Sequence, residues 1–109
     1  MTKEQEDKIL REAIRQYGVA CQYDVLIEEM SELTKAIIKQ RRASRAHQHL
    51  EAAKLIDNII EEIADVRIML DQAELMTIPS ECLKVREEKL RRLAIRLGVR
   101  YDTEGDENV

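Results

Sequence analysis

Glu29 and Glu32 stand three residues apart in this chain, and Glu62 and Asp65 repeat the spacing. At i and i+3 of a helix, side chains are neighbours on one face. On a helical wheel of ~100° per residue, Glu29 and Glu62 each border an apolar stripe, with Glu32 and Asp65 further out. Carboxylates beside a buried seam are costly unless something neutralises them. Glu29 and Asp65 each lie 18 residues from His47, and Glu32 and Glu62 each lie 15 from it. An antiparallel hairpin turning at His47 would set Glu29 level with Asp65 and Glu32 level with Glu62, so that all four carboxylates meet in one groove. Like charges this close call for a hard divalent cation, and an all-oxygen ligand set points to Mg²⁺ or Mn²⁺ rather than zinc or copper. The same spacing is common on solvated helix faces, so the symmetry carries this expectation rather than either pair alone.

Lys35, Lys39 and Arg42 continue the face beyond Glu32. They fit the phosphates of a nucleotide whose metal rests on the carboxylates. A plainer role is open to Lys35, which can simply neutralise Glu32 across one turn. Asn58 lies one turn before Glu62 on the same face, where it could orient a ligand. Tyr17, Tyr23 and Tyr101 are the only aromatics able to stack on a base, and tyrosines more often pack with the hydroxyl wet. His47 and His49 are expected in solvent. No Ser/His/Asp or Cys/His set is visible, so a covalent nucleophile is not expected. Glu28 and Glu61 are candidates for an outer-sphere base and otherwise surface charges.

The elements that must position these groups are helices. Thr2 and Gln5 fit a capping box, after which Ile9, Leu10, Ala13, Ile14 and Tyr17 recur at helical spacing up to Gly18. A second helix with Leu26, Met30, Leu33 and Ile37 on one stripe runs to about Arg42. Residues 43–50 lack periodicity and read as a connection. The third helix, about Glu51 to Met76, is the most apolar: Ile56, Ile59, Ile60, Ile63 and Leu70 form its main stripe, with Ile68 and Met69 outside it. More apolar surface than one stripe implies cover on several sides, as in the centre of a helical oligomer. A fourth helix, Pro79 to Leu97, starts on a proline tolerated in a first turn, buries Leu83, Leu90, Leu93, Ala94 and Leu97, and stops at Gly98. The reading is an all-α, four-helix bundle-like protomer with an antiparallel central hairpin. It forms one domain over 1–98 with a mobile acidic tail at 99–109.

Composition narrows the function classes. The chain has 109 residues, 37% charged and 44% hydrophobic, with no Trp or Phe. So short a helical chain without large aromatics buries a modest core, and a homodimer or homotetramer is the natural remedy. A net charge of −4 argues against a general nucleic-acid binder. Cys21 and Cys82 are too few for a disulfide framework or a zinc site, and reduced, buried thiols are expected. No apolar leader and no apolar run of ~20 residues is present, so a cytoplasmic protein without membrane contact is expected.

The segments Ile27-Glu28-Glu29-Met30-Ser31-Glu32-Leu33 and Ile60-Glu61-Glu62-Ile63-Ala64-Asp65-Val66 resemble the EExxEL and ExxDV motifs of MazG-like nucleotide pyrophosphohydrolases. That all-α NTP pyrophosphatase superfamily includes dimeric dUTPases and phosphoribosyl-ATP pyrophosphatase. The resemblance covers about Tyr17 to Leu97. It implies Mg²⁺ held by Glu29, Glu32, Glu62 and Asp65. The implied activity is cleavage of the α–β phosphoanhydride of a nucleoside triphosphate, giving a monophosphate and pyrophosphate. It also brings forward Gln22, ahead of the first motif, and Lys89 and Arg92 on the basic fourth helix, as substrate contacts beside Lys35 and Lys39. Arg67, within the apolar stripe after the second motif, is unusual for the family.

Two rivals were weighed. A di-iron carboxylate bundle uses Glu-x-x-His pairs, and neither histidine has a Glu three residues before it. A non-enzymatic helical interaction module explains the stripes but not the symmetric carboxylates, and its thermal melting would not respond to Mg²⁺ or EDTA.

Overall fold

The computed structural model describes residues 1–101, and residues 102–109, most of the expected tail, lie outside the described residues. The described chain is all-α, with helices α1 (Lys3–Tyr17), α2 (Val19–Arg45), α3 (His49–Met76) and α4 (Pro79–Leu97). Met1–Thr77 forms one compact unit from α1, α2 and α3, and the chain from Ile78 onward forms another, built on α4. None of the helices is long and apolar enough to cross a membrane.

The capping box at the start of α1 is formed. Thr2 Oγ1 accepts from the Gln5 amide at 3.1 Å, and Gln5 Oε1 accepts from the Thr2 amide at 2.8 Å. Gly18, at φ +87°, turns the chain from α1 into α2, and its N–H donates to the Ile14 carbonyl at 2.8 Å. Only glycine takes that backbone conformation without strain.

The α2/α3 hairpin dominates the first unit. Its turn is shorter than the connection expected over 43–50, because only residues 46–48 are non-helical. Burial explains the difference. Ala43 on α2 and Ala52 on α3 are both buried, so their flanking turns are held helical by packing rather than by periodic sequence. The turn closes as a Schellman-type cap: Gln48 N–H donates to the Ala43 carbonyl at 2.9 Å, and His47 N–H to the Ser44 carbonyl at 3.1 Å. His47 takes the left-handed position, φ +58°, where glycine is usual.

Between the helices runs a seam of Gln22, Leu26, Glu29, Leu33, Ala36 and Ala43 from α2 against Ala52, Leu55, Ile59, Glu62, Val66 and Met69 from α3, all buried or half-buried. The stripes expected from hydrophobicity alone coincide with it only in part, through Leu26, Leu33 and Ile59. Met30 and Ile37 on α2, and Ile56, Ile60, Ile63 and Leu70 on α3, are exposed, whereas Met69 is buried. The alanines decide this. Small side chains let two helix backbones approach closely, so the surface that packs is chosen by fit as well as by apolarity.

In the second unit, Pro79 opens α4, and Gly98, at φ +68°, ends it with the Val99 N–H donating to the Ala94 carbonyl at 2.9 Å. Arg91 then holds Tyr101, with Nη1 3.3 Å from the hydroxyl and the guanidinium 5.4 Å from the ring centroid. Ala94 is half-buried, but Leu83, Leu90, Leu93 and Leu97 are exposed rather than buried, since one helix alone gives an apolar stripe nothing to close on. Cys21 is also exposed, against expectation, because it falls just outside the seam, while Cys82 is half-buried.

His47 supplies a direct check on the turn. Replacing it with glycine removes the left-handed penalty of a side-chain-bearing residue, offset in part by the freedom glycine gains when unfolded. His47→Gly should stabilise the chain by roughly 0.5–1 kcal/mol in urea denaturation. Destabilisation would mean that the turn has a different conformation.

Candidate metal centre

Glu29 and Glu62 belong to the seam itself, deeper than their expected place at its border, and both are half-buried. The hairpin register brings Asp65, which is exposed, alongside them. Carboxylate oxygens of Glu29, Glu62 and Asp65 lie within 4.8 Å of one another, a spacing at which they could share one cation. Glu62 Oε2 is buried and has no hydrogen-bond partner. A buried carboxylate oxygen left unpaired is costly and marks a place where a partner is missing. A divalent cation coordinated by oxygen is the partner this donor set fits.

Electrostatics agree with the geometry. Removal from water, then repulsion from Asp65 and Glu62, raises the Glu29 carboxyl above its ordinary range. The Glu62 carboxyl is raised for the same first reason, with Asp65 and then Glu32 adding repulsion. Both groups therefore resist ionisation more in the folded chain than in the unfolded one.

Glu32 stands apart from the trio. It is exposed, and its Oε1 is 3.6 Å from Lys35 Nζ. It does share with Glu62 a groove of about 370 Å³ that Lys35, Lys39, Arg42 and Asn58 also line. Carboxylates thus sit at one end of this groove, and cations run along the α2 side from there.

Gln22 is placed differently from a substrate contact. It is buried at 6% exposure, and its side-chain oxygen accepts a hydrogen bond from Nε2 of Gln72, itself only 2% exposed. The pair ties α2 to α3 at the end of the seam far from the turn. Gln72 belongs to no motif, yet the sequence carries a signal for the pair: both glutamines lie 25 residues from His47. Lys89 and Arg92 lie on α4, in the other unit, among its exposed leucines. His47 and His49 are exposed, with ring centroids 6.0 Å apart at the turn. No family model, curated protein or solved structure matches the chain.

Substitutions at Glu62 and at the glutamine pair test these assignments. In EDTA at pH 7.5, Glu62→Gln should melt higher than the unmodified chain, because it removes a desolvated charge from among like charges. A carboxyl whose folded pKa is raised destabilises the fold above that pKa and ceases to do so as pH falls through it. The advantage of Glu62→Gln should therefore shrink on acidification, and an advantage that grows would contradict the assignment. Gln72→Leu alone should cost about 1–3 kcal/mol by stranding Gln22, and much of that should return in Gln22→Leu/Gln72→Leu. Equal loss in the single and double variants would show that the pair is not coupled.

Proposed function

We propose that the chain is a Mg²⁺-dependent nucleoside triphosphate pyrophosphohydrolase, with Mn²⁺ as an alternative ion. One observation carries the reading: the convergence of Glu29, Glu62 and Asp65, with an unpartnered buried oxygen on Glu62, at the end of a groove lined by Lys35, Lys39 and Arg42. The resemblance of the two acidic segments to the MazG-like motifs supplies the reaction type.

In this reading Glu29, Glu62 and Asp65 would hold the cation, with Glu32 beside Lys35 as a fourth candidate ligand. A cation held there would supply Lewis acidity toward the phosphates and the attacking water. Lys35 and Lys39 take the β- and γ-phosphates as point charges, and Arg42 extends that reach along the groove. Asn58 donates its amide to a phosphate or to the attacking water. The water oxygen bonds to the α-phosphorus as the bond from that phosphorus to the bridging oxygen breaks. Pyrophosphate leaves with its charge offset by the lysines, and the water's proton passes to solvent. The buried Gln22–Gln72 pair acts on this site only by holding the register that brings Glu29 level with Asp65. Lys89 and Arg92 remain candidate substrate contacts on the resemblance alone.

Incubation with a panel of ribo- and deoxyribonucleoside triphosphates and Mg²⁺, with the products resolved, tests the proposal. Monophosphate and pyrophosphate are expected, with at least ~100-fold loss of turnover in Glu62→Gln and Asp65→Asn, as when a group essential to charge stabilisation is removed. Lys39→Ala should chiefly raise KM. Orthophosphate released together with a diphosphate would refute the reaction type, and full activity in both acidic-site variants would refute the site.

A further inference from the structure

The cations of the groove outrun a triphosphate. Lys35, Lys39 and Arg42 follow one another at helical spacing on α2, so Arg42 lies two turns, about 10 Å, beyond Lys35. Successive phosphorus atoms of a polyphosphate lie closer together than the ~5.4 Å rise of one helical turn. With the α-phosphate at the carboxylates, Lys35 and Lys39 suffice for the β- and γ-phosphates, and Arg42 is left over toward the turn. A second surplus cation stands on the other helix. Lys54 precedes Asn58, which lines the groove, by one turn on the same face of α3. Gln40 and Lys54 each lie 7 residues from His47, so Lys54 is level with the stretch between Lys39 and Arg42. Lys39, Arg42 and Lys54 are all exposed, and among the described residues none of them is in an ion pair. Lys35, by contrast, is already shared with Glu32.

We infer that the groove takes a nucleotide whose phosphate chain runs past the γ position: a nucleoside tetraphosphate, or two nucleosides joined by such a chain. The inference rests on the reading of the groove given above for the place of the α-phosphate, and adds the length of the occupant. Length is the first argument, since a triphosphate ends before Arg42 and Lys54. Charge is the second. In a chain of net charge −4, three unneutralised cations at one end of a groove concentrate positive potential where a long anion would lie. The donors are the third. The planar fork of Arg42 suits a terminal or bridging phosphate, and Lys54 adds a point charge from the other helix. Lys54 also lines a shallow depression at the start of α3 with Gln48, His49, Leu50 and Glu51. Leu50 is 83% exposed there, and a second nucleoside could rest on it and on the His49 ring. Water attack at the α-phosphorus breaks its bond to the oxygen that bridges it to the β-phosphorus, and the water's proton passes to solvent. A nucleoside tetraphosphate then gives a monophosphate and tripolyphosphate. A dinucleoside tetraphosphate gives a monophosphate and a nucleoside triphosphate, itself short enough for a second round.

Calorimetry of the full chain in Mg²⁺ tests this with non-cleavable α,β-methylene analogues of adenosine triphosphate, adenosine tetraphosphate and diadenosine tetraphosphate. At least one tetraphosphate should bind ~10-fold or more tighter than the triphosphate, the scale of one further charge-assisted contact. Arg42→Ala and Lys54→Ala should each remove most of that preference. Weakening of the diadenosine analogue alone by Leu50→Ser would identify the dinucleoside compound as the occupant. Indifference of all three analogues to Leu50→Ser would identify the mononucleoside tetraphosphate. Equal Kd for the triphosphate and both tetraphosphates, or a preference that survives both cation substitutions, would overturn the inference. Turnover of the unmodified nucleotides separates it from the reaction assigned above. A length preference without cleavage would refute the reaction and leave the occupant standing, whereas cleavage without a length preference would refute only the inference.

Discussion

The antiparallel register of α2 against α3 is the constraint on which the rest of the first unit depends. It is fixed at both ends by different means. Near the turn, Ala43 and Ala52 let the backbones close together, and the His47 cap sets where the chain reverses. At the far end the buried Gln22–Gln72 hydrogen bond penalises any slip, because a shifted register would bury two unpaired amides. Between these two anchors sit Glu29 and Glu62, in seam positions that an apolar residue would fill more cheaply.

That choice of residue ties local structure to function. Each carboxylate in the seam weakens the metal-free hairpin, through loss of hydration and through repulsion from Asp65 and Glu32. A fold with so few large buried side chains has little stability to spare. The arrangement makes physical sense if a cation, bound at the hairpin, returns what the carboxylates cost, since a ligand at a hundred times its Kd contributes about 2.7 kcal/mol.

Much of this was legible in the residues. The capping box at Thr2, the corner at Gly18, the bounds of α4 and the reversal near His47 followed from local chemistry, and the equal spacing about His47 implied the meeting of Glu29, Glu62 and Asp65, while Glu32, expected with them, turns to Lys35 instead. The parts that were not legible have a common cause. Hydrophobicity marks which helix surfaces avoid water but not which of them pack within one chain. The stripe through Ile56, Ile60 and Ile63 therefore reads as the core, while the seam combines Leu26, Leu33, Ile59 and Val66 with alanines, carboxylates and Met69. Nor is the pairing of Gln22 legible locally, because its partner, Gln72, lies fifty residues away in sequence and only the register unites them.

The central claim is that Glu29, Glu62 and Asp65 form a divalent-cation site. Titration of Mn²⁺ into the full chain, followed by electron paramagnetic resonance of the free ion and competed with Mg²⁺, tests it most directly. Saturable binding that Mg²⁺ displaces, and that Glu29→Gln and Glu62→Gln each abolish, is the expected result. Binding of the same affinity in the unmodified chain and both variants would contradict the account.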